Sequence, residues 1–563
     1  MNSSTSIQSS GSWFQRTFRG RRGRLLREYL TGYLFIAPAS FLVFLFGIFP
    51  VGFALYVSLY KWRLKRTDFI GLNNYVKAID NLAYLGVFLL GLGALIFAVI
   101  LTRRIIAKAR DQEEQPWLLA VPGLLYACAI ASFLRWTVLL LPQVLDIASK
   151  IIGVEKTQEL FYGLLREAFT AESVLPAFWL TLVLLALSVA VSFIANRLVM
   201  NERNVEYQAQ FSMSWLSLSA GIFLLIYTYT QVIQAYQIAL ETGSEVQIWP
   251  QIIIISSGIL LLLAAWFVWR SAENQSSNRG FWFRVMATMV LLVGGWLLIG
   301  EIPAILAAGD EDMWQGLKVT IFYSLGTVPF QLGISLFLAV LLFQQLAGSE
   351  LFRMLYFLPY VTPFVASAAV FRQMFSIRPQ APVNQLVKLL GGESLRWIQE
   401  PIGVFTLLGE RLGVDVPAWA SGPSLALVVV ILFSIWVYVG YDTVIYMAGL
   451  GNISSELIDA AEIDGAGRWQ IFRYVIFPLL SPTTYFLSLI AIIGTFKAFS
   501  SIWVMRHELA LGTVDTFSVM IFDEFFTKLQ YGYASALAFV LFAIILCLTV
   551  INNRIQGSRV FYG

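Results

Sequence analysis

Long apolar runs recur along the whole chain, and each reaches the roughly 20 helical residues that a hydrocarbon core requires. A membrane-spanning β-barrel would instead show short segments of alternating polarity, and these runs have no such alternation. Helices therefore satisfy the backbone in lipid. The pattern predicts an all-α membrane protein with about twelve transmembrane helices. The runs are 33–60, 82–102, 117–141, 174–195, 211–240, 250–269, 285–305, 317–343, 354–375, 424–449, 480–504 and 531–552.

Composition supports a lipid environment, since 58% of the residues are hydrophobic and 13% are charged, against about 25% charged in soluble domains. Cys128 and Cys547 both fall inside apolar runs, and His507 is the one histidine. These residues predict neither a disulfide framework nor a metal site. We expect no cofactor on this chain and no nucleic-acid partner.

Charge orients the predicted helices. Residues 1–32 are rich in arginine and form a predicted basic cytoplasmic segment, followed by an uncleaved first helix. With that start, loops 103–116 and 270–284 are basic and cytoplasmic, whereas 241–249 and 306–316 are acidic and external. This arrangement follows the positive-inside rule, with one exception: the outer segment 61–81 contains five basic residues.

One predicted cytoplasmic loop, 454–478, has the features of a helix, a glycine turn and a second helix. Ser455 is a candidate helix cap, and Glu456 suits the positive first turn. Gly465 can end the first helix in the left-handed conformation, and a second helix then runs from Arg468 to Pro478. The loop is predicted to protrude into the cytoplasm.

A helix of about ten residues needs something to pack against. Small residues let a partner surface approach this one closely, as in helix-in-groove recognition. A hairpin folded against the protein's own inner face explains them equally well, so the residues alone leave both interpretations open. The small residues are Ala460, Ala461, Gly465, Ala466 and Gly467.

The same loop resembles the cytoplasmic coupling loop of binding-protein-dependent permeases, the EAA motif. Asp459 stands where that motif usually has Glu, and Val475 and Phe477 replace its Ile and Leu. The resemblance implies contact with an ATPase. The residues it assigns to coupling are Asp459, Ala460, Ala461, Asp464, Gly465, Phe472 and Pro478.

Residues 33–80, 316–377 and 424–552 are similar to the core of maltose-type sugar permeases, in the family's order. Residues 506–512 depart from the family's Thr-Gly-Gly-Pro stretch. An insertion with six candidate spans interrupts the similarity, and an even number keeps the flanking helices in one orientation. The predicted domains are the basic segment 1–32, the first core helix and outer segment 33–80, the insertion 81–313, and the other five core helices in 314–563 with the coupling loop 454–478.

The resemblance implies the permease subunit of an ABC importer for a sugar, in the cytoplasmic (inner) membrane of a bacterium or archaeon. Implied partners are ATPase subunits, a second permease, an extracytoplasmic substrate-binding protein and membrane lipid. The chain contains no G-x-x-x-x-G-K-[ST] phosphate loop. We therefore expect it not to be an enzyme, with ATP and magnesium bound by the separate ATPase.

Ionisable residues inside spans are functional hypotheses, because charge in lipid is costly. Asp442 lies deep in a span beside Trp436, Tyr438 and Tyr441, an arrangement suited to a sugar; with Lys497 these form the predicted substrate pathway. A helix-packing polar pair of Asp442 with Lys497 remains an alternative. Arg135, in the insertion, is expected to pack there.

Two other function classes remain open on the residues alone. A twelve-helix secondary transporter driven by an ion gradient fits the span count, but it predicts carboxylates in several helices and related halves. A membrane-bound glycosyl transferase would use carboxylates at outer loop edges. The one such cluster is Asp310, Glu311 and Asp312, for which a solvated acidic loop is the simpler interpretation.

Overall fold

The computed structural model describes residues 21–63, 66–153, 155, 157–199, 203–243, 246–273, 278–300, 302–343 and 348–557. Most of the predicted basic segment 1–32 thus lies outside the described residues. The chain forms two compact units: the first ends at Asp80 and resumes at Ala307, and the second is Asn81–Leu306. The predicted insertion extended to residue 313, but Asp310 belongs to the first unit, where its backbone N–H donates to Ala78 and its carboxylate accepts from Tyr533.

The first unit opens with a long helix that continues through a π-helical turn, Phe44–Ile48, into a second helix. Every residue from Glu28 to Gly52 is exposed. A small antiparallel hairpin follows. Asn74 Nδ2, in the helix after the hairpin, donates to the carbonyl of Ser58 at 2.7 Å and to that of Tyr60 at 3.1 Å. These elements are α1 (Arg21–Val43), α2 (Phe49–Ser58), β1 (Tyr60–Trp62), β2 (Arg66–Phe69) and α3 (Asn73–Ile79).

The second unit consists of long helices with a short amphipathic helix among them. They are α4 (Leu82–Asp111), α5 (Ala120–Lys150), which follows a 3-10 turn at Trp117–Leu119, α6 (Gln158–Thr170), α7 (Val174–Leu198), α8 (Asn204–Thr242), α9 (Ile248–Glu273), α10 (Asn278–Ile299) and α11 (Ile302–Ala307), whose last residue belongs to the first unit.

The first unit then resumes with longer helices joined by short ones. They are α12 (Glu311–Phe343), α13 (Ser349–Val361), α14 (Phe364–Met374), α15 (Pro382–Leu389), α16 (Val404–Leu412), α17 (Leu425–Gly451), α18 (Ser455–Ile463), α19 (Arg468–Ile471), α20 (Phe477–Leu479), α21 (Ser481–Phe496), α22 (Ser500–Met505), α23 (Phe517–Phe522) and α24 (Tyr531–Gly557).

Within the described residues, 10 helices are long and apolar enough to cross a membrane, or up to 12 if each of two bent pairs forms one span. The predicted helical membrane fold is therefore confirmed. Two predicted spans are wrong as continuous helices. The run 354–375 bends by 95° between α13 and α14, where Pro363 lacks a backbone N–H. The run 480–504 is broken at Lys497, and α21 also meets the preceding helix at 62°.

In the second unit, α4 packs on α8, α5 packs on α7 and α8, and α9 pairs with α10. Glycine permits one of these close approaches: a Cβ on Gly221 of α8 would lie 2.9 Å from the Gly91 carbonyl oxygen of α4. Hydroxyl pairs such as Thr102 with Ser214, at 2.8 Å, join the helices. The expected packing of Arg135 inside this unit is wrong, because its side chain is exposed.

The core of the first unit surrounds α17, which contacts α12 most extensively and also α13. Phe433 and Val437 of α17 are buried in this core. Gly440 lies against the backbone of α13, so close that a Cβ there would overlap the carbonyl oxygen of Tyr356. The absence of a side chain at residue 440 therefore allows the close spacing of α13 and α17.

Replacing Gly440 by alanine should destabilise the first unit by about 1–3 kcal/mol, the usual cost of overpacking. Gly333→Ala is the matched control, because nothing lies within 4 Å of a Cβ at that helical glycine. Thermal unfolding of the purified chain in detergent would measure both. Equal melting temperatures for the two variants would contradict the close approach of α13 and α17.

Candidate functional site

The interruption between α21 and α22 is stabilised by side chains of a neighbouring segment. The hydroxyl of Thr516 donates to the carbonyl of Ala498 at 3.3 Å, and that of Ser518 donates to the carbonyl of Phe496 at 2.9 Å. The last carbonyls of a helix need such partners when the helix ends away from water. The break at Lys497 is thus a capped feature of the fold, and it opens space between α21 and the helices facing it.

A cavity of about 340 Å³ lies at this break, entirely within the first unit. Its walls come from α12, α13, α14, α17, α21 and α22. The lining residues are Tyr323, Thr327, Gln331, Tyr360, Phe364, Ser434, Tyr438, Tyr441, Asp442, Ile490, Ala491, Gly494, Thr495, Lys497, Ala498, Phe499, Ser500 and Ser501.

Polar groups in the cavity wall form pairs between α12 and α17. Asp442 is buried, and its Oδ2 accepts a hydrogen bond from Nε2 of Gln331 at 2.6 Å. The hydroxyls of Tyr323 and Ser434 are 2.6 Å apart. A buried carboxylate needs such a donor. Only one of its two oxygens is bonded to Gln331, so the carboxylate keeps acceptor capacity.

Tyrosine rings form the apolar part of the cavity wall. Tyr360 of α13 stacks on Tyr441 of α17, with ring centroids 4.6 Å apart and planes at 21°. The ring of Tyr438 meets Tyr360 edge to face at 6.0 Å. These contacts hold flat apolar faces beside the carboxylate and amide, and each tyrosine also carries a hydroxyl.

The structure brings together Tyr438, Tyr441, Asp442 and Lys497 of the predicted substrate pathway, since all four line the cavity. Trp436 does not line it. Two residues from Tyr438 on the same helix, it faces another direction and packs on Phe371 and Phe433.

The alternative of a packed Asp442–Lys497 pair does not hold for the described residues, because Asp442 bonds to Gln331 and Lys497 is exposed without an ion pair. Gln331 and Tyr360 were not predicted as site residues, because neither side chain is charged. Gln331 could have been predicted as a polar site residue, because it interrupts the apolar run 317–343.

The predicted coupling loop forms a helix, a glycine turn and a second helix. Ser454, one residue before the predicted cap, is the N-cap, and its hydroxyl accepts from the N–H of Glu456 at 3.3 Å. Gly465 has φ +80°. The N–H of Ala466 donates to the carbonyl of Ala461, and that of Gly465 donates to Glu462. This is a Schellman motif, which requires the left-handed residue predicted at 465.

The second helix of the loop is less regular than predicted. It begins at Arg468, where the side chain of Gln470 accepts from the N–H of Gly467 at 2.7 Å. A π-helical turn, Phe472–Ile476, follows, and the helix continues through Pro478 to Leu479. Phe472 and Pro478 are half-buried at its base.

No residue of α18 is buried, so this first helix of the loop does not fold against the protein's own surface as the alternative required. Asp459, Ala460, Asp464 and Gly465 are exposed and Ala461 is half-buried. Large apolar side chains are exposed beside them, including Ile463 at 86% and Trp469 at 70%. An exposed apolar surface on a loop outside the bilayer is characteristic of an interaction site.

Residues 331–559 match the family described as binding-protein-dependent transport system inner membrane component. The probable ABC transporter permease protein YesP of Bacillus subtilis is 34% identical over 259 residues, which cover 45% of this chain and 75% of YesP. The chain belongs to the ABC transporter permeases. The resemblance drawn from the sequence is confirmed, and with it a multi-pass protein of the inner membrane; the secondary-transporter interpretation is wrong.

Other permeases align over a similar extent. The lactose transport system permease protein LacF of Rhizobium radiobacter is 28% identical, covering 44% of this chain and 78% of LacF. A crystal structure of a bacterial alginate ABC transporter in complex with alginate pentasaccharide-bound periplasmic protein includes a chain with 20% identity and a TM-score of 0.38, covering 44% of this permease and 79% of that chain.

Cysteine labelling tests the geometry of the cavity. In a chain with Cys128 and Cys547 replaced by serine, Lys497→Cys should react with a charged, water-soluble thiol reagent, because residue 497 is exposed in a polar cavity. Trp436→Cys should react at least tenfold more slowly, since it lies on α17 outside the cavity and charged reagents are excluded from lipid. Equal rates would contradict the assignment.

Proposed function

We propose that this permease forms the transmembrane path of a sugar importer, and that the cavity at the α21–α22 break is its sugar-binding site. The main support for this site is the hydrogen-bonded pair of Gln331 and Asp442 beside the stacked rings of Tyr360 and Tyr441. Relatives named for lactose, arabino-oligosaccharide and sn-glycerol-3-phosphate transport support a hydroxylated substrate.

A sugar presents hydroxyl donors and acceptors around its edge and C–H groups on its faces. The free acceptor capacity of Asp442 suits a sugar hydroxyl, in a charge-assisted hydrogen bond. The ammonium group of Lys497 is positively charged and supplies hydrogen-bond donors only. The tyrosine rings provide the apolar surfaces against which a sugar face packs.

We propose that the loop 454–478 couples ATP hydrolysis on a separate ATPase subunit to transport. Its exposed apolar side chains and acidic residues fit a groove of a separate ATPase subunit, in the helix-in-groove mode. The residues proposed for this contact are those of the predicted coupling set, with Asp459, Ala460 and Gly465 at its exposed end. The turn at Gly465 fixes the angle between α18 and the following helix, so a displacement of the ATPase moves the helix that leads to α21.

The remaining parts of the importer are proposed on the family's arrangement. ATP and magnesium are held by the ATPase subunit, a second permease completes the path, and an extracytoplasmic binding protein delivers the sugar. The family's description as a binding-protein-dependent transport component supports that last partner.

Asp442→Leu and Gln331→Leu should each lower sugar uptake at low substrate concentration by roughly 10- to 100-fold. A hydrogen bond to a charged group contributes about 1.5–3 kcal/mol. Because the two residues act as a pair, the double variant should lose less than the sum of the single losses. Uptake of radiolabelled lactose and arabino-oligosaccharides by proteoliposomes would measure this.

Trp436→Phe is the control for those variants, since it changes α17 outside the cavity and should retain uptake. Each variant must also be shown to assemble at the normal level. Normal uptake in correctly assembled Asp442→Leu would remove the cavity from the transport path.

Gly465→Val should reduce uptake and ATPase co-purification together. A Cβ there meets nothing within 4 Å, so the change acts through the left-handed backbone alone, at about 1–3 kcal/mol for a β-branched residue. Gly451→Ala is the matched control, a glycine at the end of α17 with equally open surroundings and without a positive φ.

Asp459→Lys probes the charge of the same surface without altering its backbone. It should weaken ATPase retention, and normal retention with normal uptake in both Gly465→Val and Asp459→Lys would contradict coupling through this loop. Lost uptake with intact ATPase binding would assign the loop to transmission of movement.

A further inference from the structure

Arg135 occupies an unusual position in the second unit. It is the one charged side chain between Ala120 and Leu145, near the middle of α5, a helix that meets the requirements for a membrane span. The side chain is exposed, and it has no hydrogen bond, ion pair or ring contact with any described residue. A charge exposed to lipid at that depth is costly, so it requires a partner.

The face of α5 that carries Arg135 is opposite the one packed on α7 and α8. Buried residues such as Gly123, Ala127 and Ser132 make the internal contacts. The exposed face follows a heptad over about 27 Å of helix, which is nearly the thickness of a hydrocarbon core. The exposed residues on this stripe are Val121, Leu124, Cys128, Ala131, Arg135 and Val138, and Ile130, Phe133, Leu134 and Thr137 beside it are exposed as well.

Such spacing is the geometry of a helix–helix seam, in which a single polar residue at a core position specifies register and partner. Arg135 takes that position among apolar neighbours. The arrangement therefore favours another helix over lipid alone as the occupant of this face.

A lipid phosphate is less well placed to neutralise Arg135. The apolar run ends at residue 141, six residues or about 9 Å along the axis. In the predicted topology that end is external, and side chains tilt toward the helix N-terminus, so the guanidinium leans away from the outer headgroups. Snorkelling to the outer surface works against this tilt, and the inner end of the apolar run at residue 117 is 18 residues, or about 27 Å, away.

A second copy of this chain is also a poor occupant. Two copies have the same orientation in the membrane, so a symmetric contact through this face places one Arg135 opposite the other, and like charges in a low dielectric repel. No acid lies on α5 between Ala120 and Leu145 to offset them.

We propose that the exposed face of α5 binds a membrane-spanning helix of another subunit, and that an aspartate or glutamate within that helix pairs with Arg135. An arginine–carboxylate pair can be bidentate, which gives both charge neutralisation and register. The second unit is then a docking module for a further membrane subunit, a role separate from the substrate path and from the coupling loop.

Cys128 lies on this face and provides the attachment site for a cross-linking probe. In the whole importer, purified in lipid nanodiscs, Cys547→Ser leaves Cys128 as the single thiol of this chain. A benzophenone maleimide attached there should cross-link to a spanning segment of a different polypeptide, and mass spectrometry of the adduct should show an Asp or Glu in that segment. Arg135→Glu should abolish the adduct, and changing the mapped acid to Arg should restore it.

Arg197→Glu is the control, because it reverses a charge at the end of α7, away from this face, and should leave the adduct intact. Arg135→Lys should retain at least part of it. The proposal is overturned if the probe labels only lipid, this chain or a second copy of it, or if the adduct persists undiminished in Arg135→Glu.

Discussion

Backbone hydrogen bonding in lipid is the constraint on which the rest of this structure depends. A helix inside a bilayer can stop only where other groups replace its lost hydrogen bonds. At the end of α21 the hydroxyls of Thr516 and Ser518 provide that replacement. The carbonyls of Phe496 and Ala498 thereby gain donors where the chain turns at Lys497. The gap at this turn is a cavity with polar walls. The site exists because a neighbouring segment caps an interrupted helix.

The coupling loop obeys a related rule outside the membrane. A short helix that buries none of its own residues cannot hold its position by packing, so its geometry comes from its ends. Ser454 fixes the start, and the left-handed Gly465 fixes the end and the direction of the following helix. In the proposed mechanism, this defined angle carries movement from an ATPase toward the helices at the cavity.

The periodicity of the sequence was sufficient to predict the helical membrane fold, because apolar length reports directly on bilayer thickness. The left-handed turn at Gly465 was also predictable, since glycine after a short capped helix has a local cause. The breaks at Pro363 and Lys497 were not predicted from apolar length, which is unchanged by a bend. The partner of Asp442 depends on the register of α12 against α17, a tertiary property that places Gln331 opposite it. The exposure of Arg135 depends in the same way on which face of α5 meets its neighbours.

In the proposed transport cycle, sugar occupies the cavity at the break while it crosses the membrane. Protection of a cysteine at residue 497 tests this most directly: the labelling rate is measured in the reconstituted importer with and without the sugar that it transports. The transported sugar should slow labelling severalfold, and a sugar that is not transported should have no effect. An unchanged labelling rate at a sugar concentration that saturates uptake would contradict it.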